Sequence, residues 1–317
     1  MKTFQRKIGF YFAGCSIFLL PFAAISQDTT LSVLKKIITL KEVVIRNNLN
    51  VPNFIERVQK DTSFYKAFKN LRILGFTSLN DIRMMDKKGV IRATLQSKTK
   101  QSVNKGCRSM EVLEEKTTGD IYDDSRNWNY YTAAMYASLF FSNGIICGEN
   151  NIVKGDVFSA GGKSGLEKHK EQLKRLMFNP GTKIPGIPFI SNKVAIFDDE
   201  RAALYDFVID MGDHLGQNCY IFIVRGRENL TSNEKDQVVI NNMTTWFNSQ
   251  TMEIVARDYD LSYDAGVYDF DVHMEVKMDK FGELLVPTLI RYTGNWHAVF
   301  KKREKGFFTA TLFDFTN

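Results

Sequence analysis

The stretch VYDFDVHMEVKM, residues 267–278, alternates apolar and polar residues along its whole length. A period of two places successive side chains on opposite faces of a β-strand. The apolar set is Tyr268, Phe270, Val272, Met274, Val276 and Met278, and the polar set is Asp269, Asp271, His273, Glu275 and Lys277. The pattern therefore predicts a long strand with one buried face and one face in water.

Strand-like segments continue on both sides of this stretch, from about residue 193 to residue 317. Short turns that carry Gly, Asn or Asp join them, and short connections indicate antiparallel neighbours in a meander. The other predicted strands of this series are KVAIF (193–197), ALYDFVIDM (203–211), CYIFIVRG (219–226), VVINNMTTWF (238–247), MEIVARDYDLSY (252–263), ELLVPTLIRY (283–292), NWHAVFKKRE (295–304) and FFTATLFDF (307–315).

The first half of the chain mixes helices and strands. Apolar residues three or four apart predict one or two short helices in 51–72, a buried helix in 128–141 and an amphipathic helix in 165–178. Strands are predicted at about 72–84, 89–98 and 108–116, the first two joined by a hairpin at DKKG (86–89). The fold class predicted is α+β, with one large curled antiparallel sheet, a half-barrel-like meander, and a few helices packed on it.

The N-terminus has the features of a secretory signal peptide over residues 1–26. Basic residues precede the apolar stretch IGFYFAGCSIFLLPFAAIS (8–26), and small residues, Ala24 and Ser26, stand before Gln27. A retained membrane anchor and a lipidated Cys15, within FAGC, are the alternatives. We therefore expect an exported protein of the periplasm, with an association with the outer membrane as an option.

The remaining chain divides into an extended segment, 27–50, and a single β-rich domain, 51–317, with a helical insertion at about 118–182. Removal of the signal segment lowers the formal net charge from +6 to about +3, and basic residues are scattered, so no nucleic-acid interface is expected. Three cysteines remain, Cys107, Cys147 and Cys219, which allow one disulfide or none.

Motifs for catalysis or cofactor binding are weak in this sequence. SAGGKS (159–164) lacks the spacing of a phosphate-binding loop, and there is no GxSxG. The polar face of 267–278 offers Asp271 and His273 as weak metal candidates, with His297 as a third ligand if the last hairpins align. A solvated strand face explains the same residues better, so no cofactor, resident metal or catalytic residue is predicted.

Aromatic residues indicate a binding surface instead. Trp246 and Phe247 end one predicted strand just before a short turn, an arrangement that serves either as plain core or as the apolar wall of a groove. Together with Tyr268, Phe270 and Met274 from the opening stretch, they form our predicted ligand-binding set.

The run CYIFIVRG (219–226) followed by VVINNMTTWFNSQTMEIVARDYDLSY (238–263) resembles the strand–Trp–turn–strand segment of LolA-type periplasmic lipoprotein carriers. This resemblance covers about residues 190–317. It implies an open half-barrel whose apolar concave face holds acyl chains beneath helices, with Trp246 and Phe247 as the best-matching positions. The signal segment and ITLKEVVIRNN (38–48) also resemble secreted or outer-membrane-associated proteins of the Bacteroidota.

Three hypotheses of function follow. The first is a non-enzymatic envelope protein that binds an acyl chain or a lipoprotein in a half-barrel groove. The second is a structural module that docks on an outer-membrane complex by β-augmentation, with TLKEVVIRN (39–47) as a candidate donor strand. The third is a secreted metal-dependent hydrolase that uses the acidic face of 267–278.

Overall fold

The computed structural model describes residues 39–40, 49–153, 176–178, 180–181, 192–264, 266, 268–298 and 302–317. The signal segment at 1–26, the glycine-rich 159–164 and nearly all of the predicted helix at 165–178 lie outside these residues, as does most of 27–50. Only residues 176–178 of that predicted helix are described, and they are helical.

One twelve-stranded sheet dominates the described residues. Its strands are β1 Thr39–Leu40, β2 Gly75–Met85, β3 Ile91–Asn104, β4 Cys107–Thr118, β5 Ile146–Cys147, β6 Tyr205–His214, β7 Gln217–Gly226, β8 Ile240–Asn248, β9 Ile254–Asp264, β10 Tyr268–Phe281, β11 Leu284–Ala298 and β12 Glu304–Thr316. The order across the sheet is β1-β6-β7-β8-β9-β10-β11-β12-β2-β3-β4-β5. Every pairing is antiparallel except that of β1 with β6.

The predicted fold class is therefore confirmed: the protein is α+β, built on one large curled antiparallel sheet with a few helices. Two meanders make up this sheet, β6 to β12 and β2 to β4, and β12 joins them by pairing with β2. The helices are α1 Val51–Lys60, α2 Ser63–Asn70, α3 Tyr131–Phe140, α4 Asp199–Ala202 and α5 Ser232–Lys235. Among the described helices, none is long and apolar enough to cross a membrane.

The alternation in the opening stretch sets the two faces of the sheet. The inner face of β10 carries Phe270, Val272, Met274, Val276 and Met278, all buried, whereas Asp271 and His273 on the outer face are exposed. Helix α1 packs against the inner face through Phe54, whose ring lies 5.7 Å from that of Tyr220 and 5.6 Å from that of Phe247. The core thus lies between the inner face and the helices.

Two predicted strands of the second half are wrong. KVAIF (193–197) is a series of turns, although Val194, Ala195 and Ile196 are buried. An apolar run of five residues indicates burial, but it does not separate a strand from a buried turn.

The segment NWHAVFKKRE (295–304) is not a strand of its own. Residues 295–298 continue β11, which runs unbroken through Gly294, and Glu304 already begins β12. Gly294 does not form a turn but serves packing: a Cβ there would lie 2.3 Å from the hydroxyl oxygen of Tyr292. The glycine therefore makes room for a buried tyrosine within the strand.

The proposed donor segment 39–47 is described only at Thr39 and Leu40. These residues pair in parallel with Val208 and Ile209 at the edge of β6, so this part of the segment adds to the chain's own sheet. At the opposite edge, β5 pairs only with Cys107 and Arg108. Along the rest of β4, no strand among the described residues pairs with the outer edge.

Candidate functional site

A cavity of about 300 Å³ lies between the inner face of the sheet and helices α2 and α3. This volume is at the lower end of the range for small-molecule sites in proteins. Most of its lining is aromatic or aliphatic, from Tyr65, Phe68, Leu71, Phe76, Leu139, Phe140, Phe178, Ala310 and Leu312. The remaining lining residues are polar or charged, so the cavity has an apolar part and a polar part.

Helix α2 forms one wall of the cavity and is held in place in its C-terminal half. Its buried Phe68 packs against Phe178, with ring centroids 4.4 Å apart. At its C-terminus, Nδ2 of the buried Asn70 donates a hydrogen bond of 2.7 Å to the carbonyl oxygen of Leu285 on β11. A buried amide that is hydrogen-bonded in this way fixes the position of the helix on the sheet.

Helix α3 forms the opposite wall and is anchored by a carboxylate. Glu304 of β12 accepts hydrogen bonds from the backbone N–H groups of Tyr131 (2.9 Å) and Thr132 (2.7 Å). These groups have no partner within the helix, and a negative charge at a helix N-terminus is stabilising. Further along, the ring of Phe140 stacks 5.1 Å from that of Phe308.

On the floor of the cavity, β12 is apolar, whereas β2 and β3 contribute Phe76, Ser78 and Gln101. Ala310 and Leu312 supply the apolar part. Ser78, on β2, donates a 2.8 Å hydrogen bond to the side chain of Asn80, which in turn reaches Ser97, 3.3 Å away on β3. A local polar patch therefore lies beside the seam between the two meanders, on a strand face that is apolar again at Ile82 and Met84.

Charged side chains gather at the polar end of the cavity. Arg108 of β4 forms a short ion pair with Glu149, and Arg72, which follows α2, lies 3.3 Å from the same carboxylate. Lys69 also lines the cavity, and its pKa is lowered, first by burial and then by the charge of Arg72. Three cations thus face one carboxylate.

Gln101 organises this charged end. Its Nε2 donates hydrogen bonds of 2.7 Å to the carbonyl oxygens of Leu71 and Leu74, and its Oε1 accepts from Arg108 at 3.0 Å. Gln101 is only 2% exposed. One buried amide therefore ties the end of α2 to the guanidinium of Arg108.

A disulfide joins Cys107 to Cys147, and Cys219 is a free, buried thiol. Cys107 directly precedes Arg108 on β4, and Cys147 lies two residues before Glu149. The bond therefore holds the segment that carries Glu149 beside the strand that carries Arg108.

The predicted ligand-binding residues lie on the sheet but not around this cavity. Phe247, Phe270 and Met274 are buried on the inner face, away from the cavity lining. Trp246 points to the outer face, where its ring lies 5.1 Å from that of His214. Tyr268 belongs to β10, but its side chain is not among those that the structure describes.

The three metal candidates are separated along the outer face. His273 lies 2.8 Å from Asp260 on β9, whereas His297 pairs in register with Asp269 and lies 3.2 Å from its carboxylate. Asp271 is opposite Asn295 rather than His297. Within the described residues, no group of three His, Cys, Asp or Glu side chains is arranged to hold a metal ion.

Comparisons with known proteins give no family for this chain. No family model matches the sequence, and no curated protein matches it. Similar solved structures include a DUF1329 family protein from Desulfovibrio piger ATCC 29098, with 12% identity and a TM-score of 0.24, covering 83% of this chain and 89% of that one.

A second similar structure is a domain from Vibrio parahaemolyticus named for outer membrane lipoprotein sorting. It is 8% identical, has a TM-score of 0.25, and the match covers 83% of this chain and 90% of the other. Both TM-scores are below 0.5, so the function proposed below rests on the cavity rather than on these two proteins.

The residues at the charged end of the cavity were missed by sequence reasoning. Arg72, Arg108 and Glu149 belong to no motif and come from three separate parts of the chain. Cys107 and Cys147 lie near them, but three cysteines allow three different pairings, so the sequence does not indicate which two segments a disulfide joins.

Proposed function

We propose that the protein binds an amphiphile by placing its apolar chain in the cavity between α2, α3 and the inner face of the sheet. An acyl chain of a lipid or a lipoprotein is the ligand class that fits, and the role is that of a non-enzymatic binding protein. The observation that carries this proposal is the cavity itself, which lies between two helices and the sheet and has aromatic and aliphatic side chains in one part and charged side chains at the other end.

The size of the cavity limits the ligand. A methylene group occupies about as much space as a water molecule, roughly 30 Å³, so about 300 Å³ accommodates a chain of roughly ten carbons. Burial of each methylene contributes about 0.8 kcal/mol. The proposal is therefore one chain of moderate length per protein.

We place this activity in the cell envelope. The Cys107–Cys147 disulfide supports this location, because disulfides form and persist in oxidising compartments such as the periplasm. The predicted signal segment supports it as well. An association with the outer membrane is part of the same proposal.

The proposal is tested by filling the cavity. Ala310 lines the floor and is 1% exposed, so Ala310→Phe places a ring where the chain would lie. Thr311→Phe is the matched control, since the next residue on the same strand is exposed on the outer face. We expect uptake of a fluorescent fatty acid by wild type and Thr311→Phe, and its loss in Ala310→Phe.

Protein purified from cells provides an independent readout. We expect native mass spectrometry to show a bound lipid on wild type and not on Ala310→Phe. If wild type carries no lipid and takes up no fatty acid, the proposal is wrong.

Docking is the second candidate function, and the β4 edge favours it. Val112 and Leu113 on this strand are 54% and 43% exposed, and in the described part of the chain only β5 pairs with its outer side. An open edge of this kind accepts a strand from another protein. A stable stoichiometric partner in envelope fractions, with no bound lipid, would favour docking over lipid binding.

A metal-dependent hydrolase is the third candidate and has the least support. Burial, with neighbouring carboxylates, raises the pKa of Asp258 on the outer face, while His273 acts in the opposite direction. A stoichiometric metal in elemental analysis of the purified protein would revive this function.

A further inference from the structure

The charges at the polar end of the cavity are out of balance. Arg72, Arg108 and Lys69 contribute three positive charges, and among the described residues that line this cavity Glu149 is the one carboxylate. Even with Glu149 in place, two positive charges remain next to an apolar space. Charge complementarity therefore favours a ligand whose polar end is negative.

The guanidinium of Arg108 is already oriented to bind an anion. Its side chain is only 15% exposed, and Gln101 and Ser142 hold the guanidinium in place from one side. A guanidinium presents its N–H groups as a rigid fork that matches a carboxylate or a phosphate. Because the fork is already oriented, little conformational freedom is lost when an anion binds.

Glu149 occupies the position that such an anion would take. Its carboxylate contacts both Arg108 and Arg72, and its side chain is 22% exposed, so water reaches it. It lies in an irregular segment after β5 rather than in a helix or strand. The segment is tethered only two residues earlier, by Cys147.

We propose that the cavity selects single-chain amphiphiles with an anionic head group, which Arg108 and Arg72 bind in exchange for the carboxylate of Glu149. This inference rests on the proposed function, because it assigns the polar end of the same ligand. The exchange replaces one anion by another, so both arginines still have an anionic partner when the ligand is bound. When no ligand is present, the carboxylate of Glu149 occupies the anion site, and it competes with the ligand for the two arginines.

The test compares three ligands with the same chain: decanoate, decanol and decylammonium. Isothermal titration calorimetry on the full protein measures the dissociation constant of each. We expect wild type to bind decanoate about tenfold more tightly than decanol, since a hydrogen bond to a charged group is worth that much or more. Decylammonium should bind more weakly than decanol.

Two variants test the exchange directly. In Glu149→Gln the competitor loses its charge, so the preference for decanoate over decanol should increase. In Arg108→Gln the preference should disappear while decanol binding is kept. Arg83→Gln is the matched control, because Arg83 pairs with Asp81, which lies on the opposite face of β2. It should leave all three dissociation constants unchanged.

The outcomes separate the two proposals. If decanol binds as tightly as decanoate and Glu149→Gln changes nothing, the charge selection is wrong and the acyl-chain function stands. A preference for decylammonium would also overturn the charge selection. If none of the three ligands binds wild type, the acyl-chain function itself is wrong. If Arg108→Gln does not fold, the test rests on Glu149→Gln. An increased preference for decanoate over decanol supports the exchange, and an unchanged preference contradicts it.

Discussion

Removal of the Cys107–Cys147 disulfide should destabilise the protein by an amount that follows from the sequence separation of the two cysteines. The two cysteines are separated by 40 residues, and the loop-closure entropy of the unfolded chain then corresponds to about 4 kcal/mol at 25 °C. Folded domains of ordinary size have only about 5–15 kcal/mol of stability in total. The double variant Cys107→Ser/Cys147→Ser should therefore lose a large part of its free energy of unfolding.

Urea denaturation followed by tryptophan fluorescence measures this loss. Wild type should unfold at a clearly lower urea concentration with a thiol reductant than without it, and the double variant should unfold at the lower concentration in both. The double variant is thus its own control, because a reductant has no disulfide to break in it. Equal unfolding midpoints for oxidised wild type and the double variant would refute the reasoning.

The remaining predictions concern the ligand, the core and pH. Binding of saturated fatty acids should tighten about fourfold per methylene and level off near roughly ten carbons, where the cavity is full; calorimetry that shows steady tightening to sixteen carbons would contradict the cavity size. Phe54→Ala should lose about 3–5 kcal/mol in urea denaturation, because Phe54 is 2% exposed and meets three aromatic rings; a loss below 1 kcal/mol would show that α1 does not pack as described. Burial, and then the charge of Lys277, lowers the pKa of His214, so the unfolded chain takes up a proton more readily than the folded one. Stability should therefore fall as the pH drops below about 6.5, and His214→Gln should reduce this fall between pH 7.5 and 5.5.

Much of the sheet was predictable because its strands alternate cleanly. Residues 267–278 predicted β10 and both of its faces, and the segment 51–72 predicted one or two helices where the structure has α1 and α2. The hairpin at DKKG was correct as well, with Asp86 accepting backbone hydrogen bonds from Lys88 and Val90 through its side chain. Local pattern and turn chemistry suffice for elements of this kind.

The candidate site was not predictable in the same way. Trp246 and Phe247 are consecutive residues of one strand, so the strand period itself places them on opposite faces, and this signal was available in the sequence. The charged end of the cavity is different, because Arg72, Arg108 and Glu149 meet only through the tertiary fold. No periodicity within one segment encodes a contact between three distant segments.

The pairing of β12 with β2 has a consequence for how the protein reaches its folded state. Ser78 pairs in register with Leu312, a partner at the far end of the described chain. Contacts between residues so distant in sequence form slowly, since a long loop must close before they gain any energy. Each meander can form by local hairpin pairing, but the wall that encloses the cavity is completed only when β12 arrives. The cavity should therefore be absent from any partly synthesised chain that lacks β12.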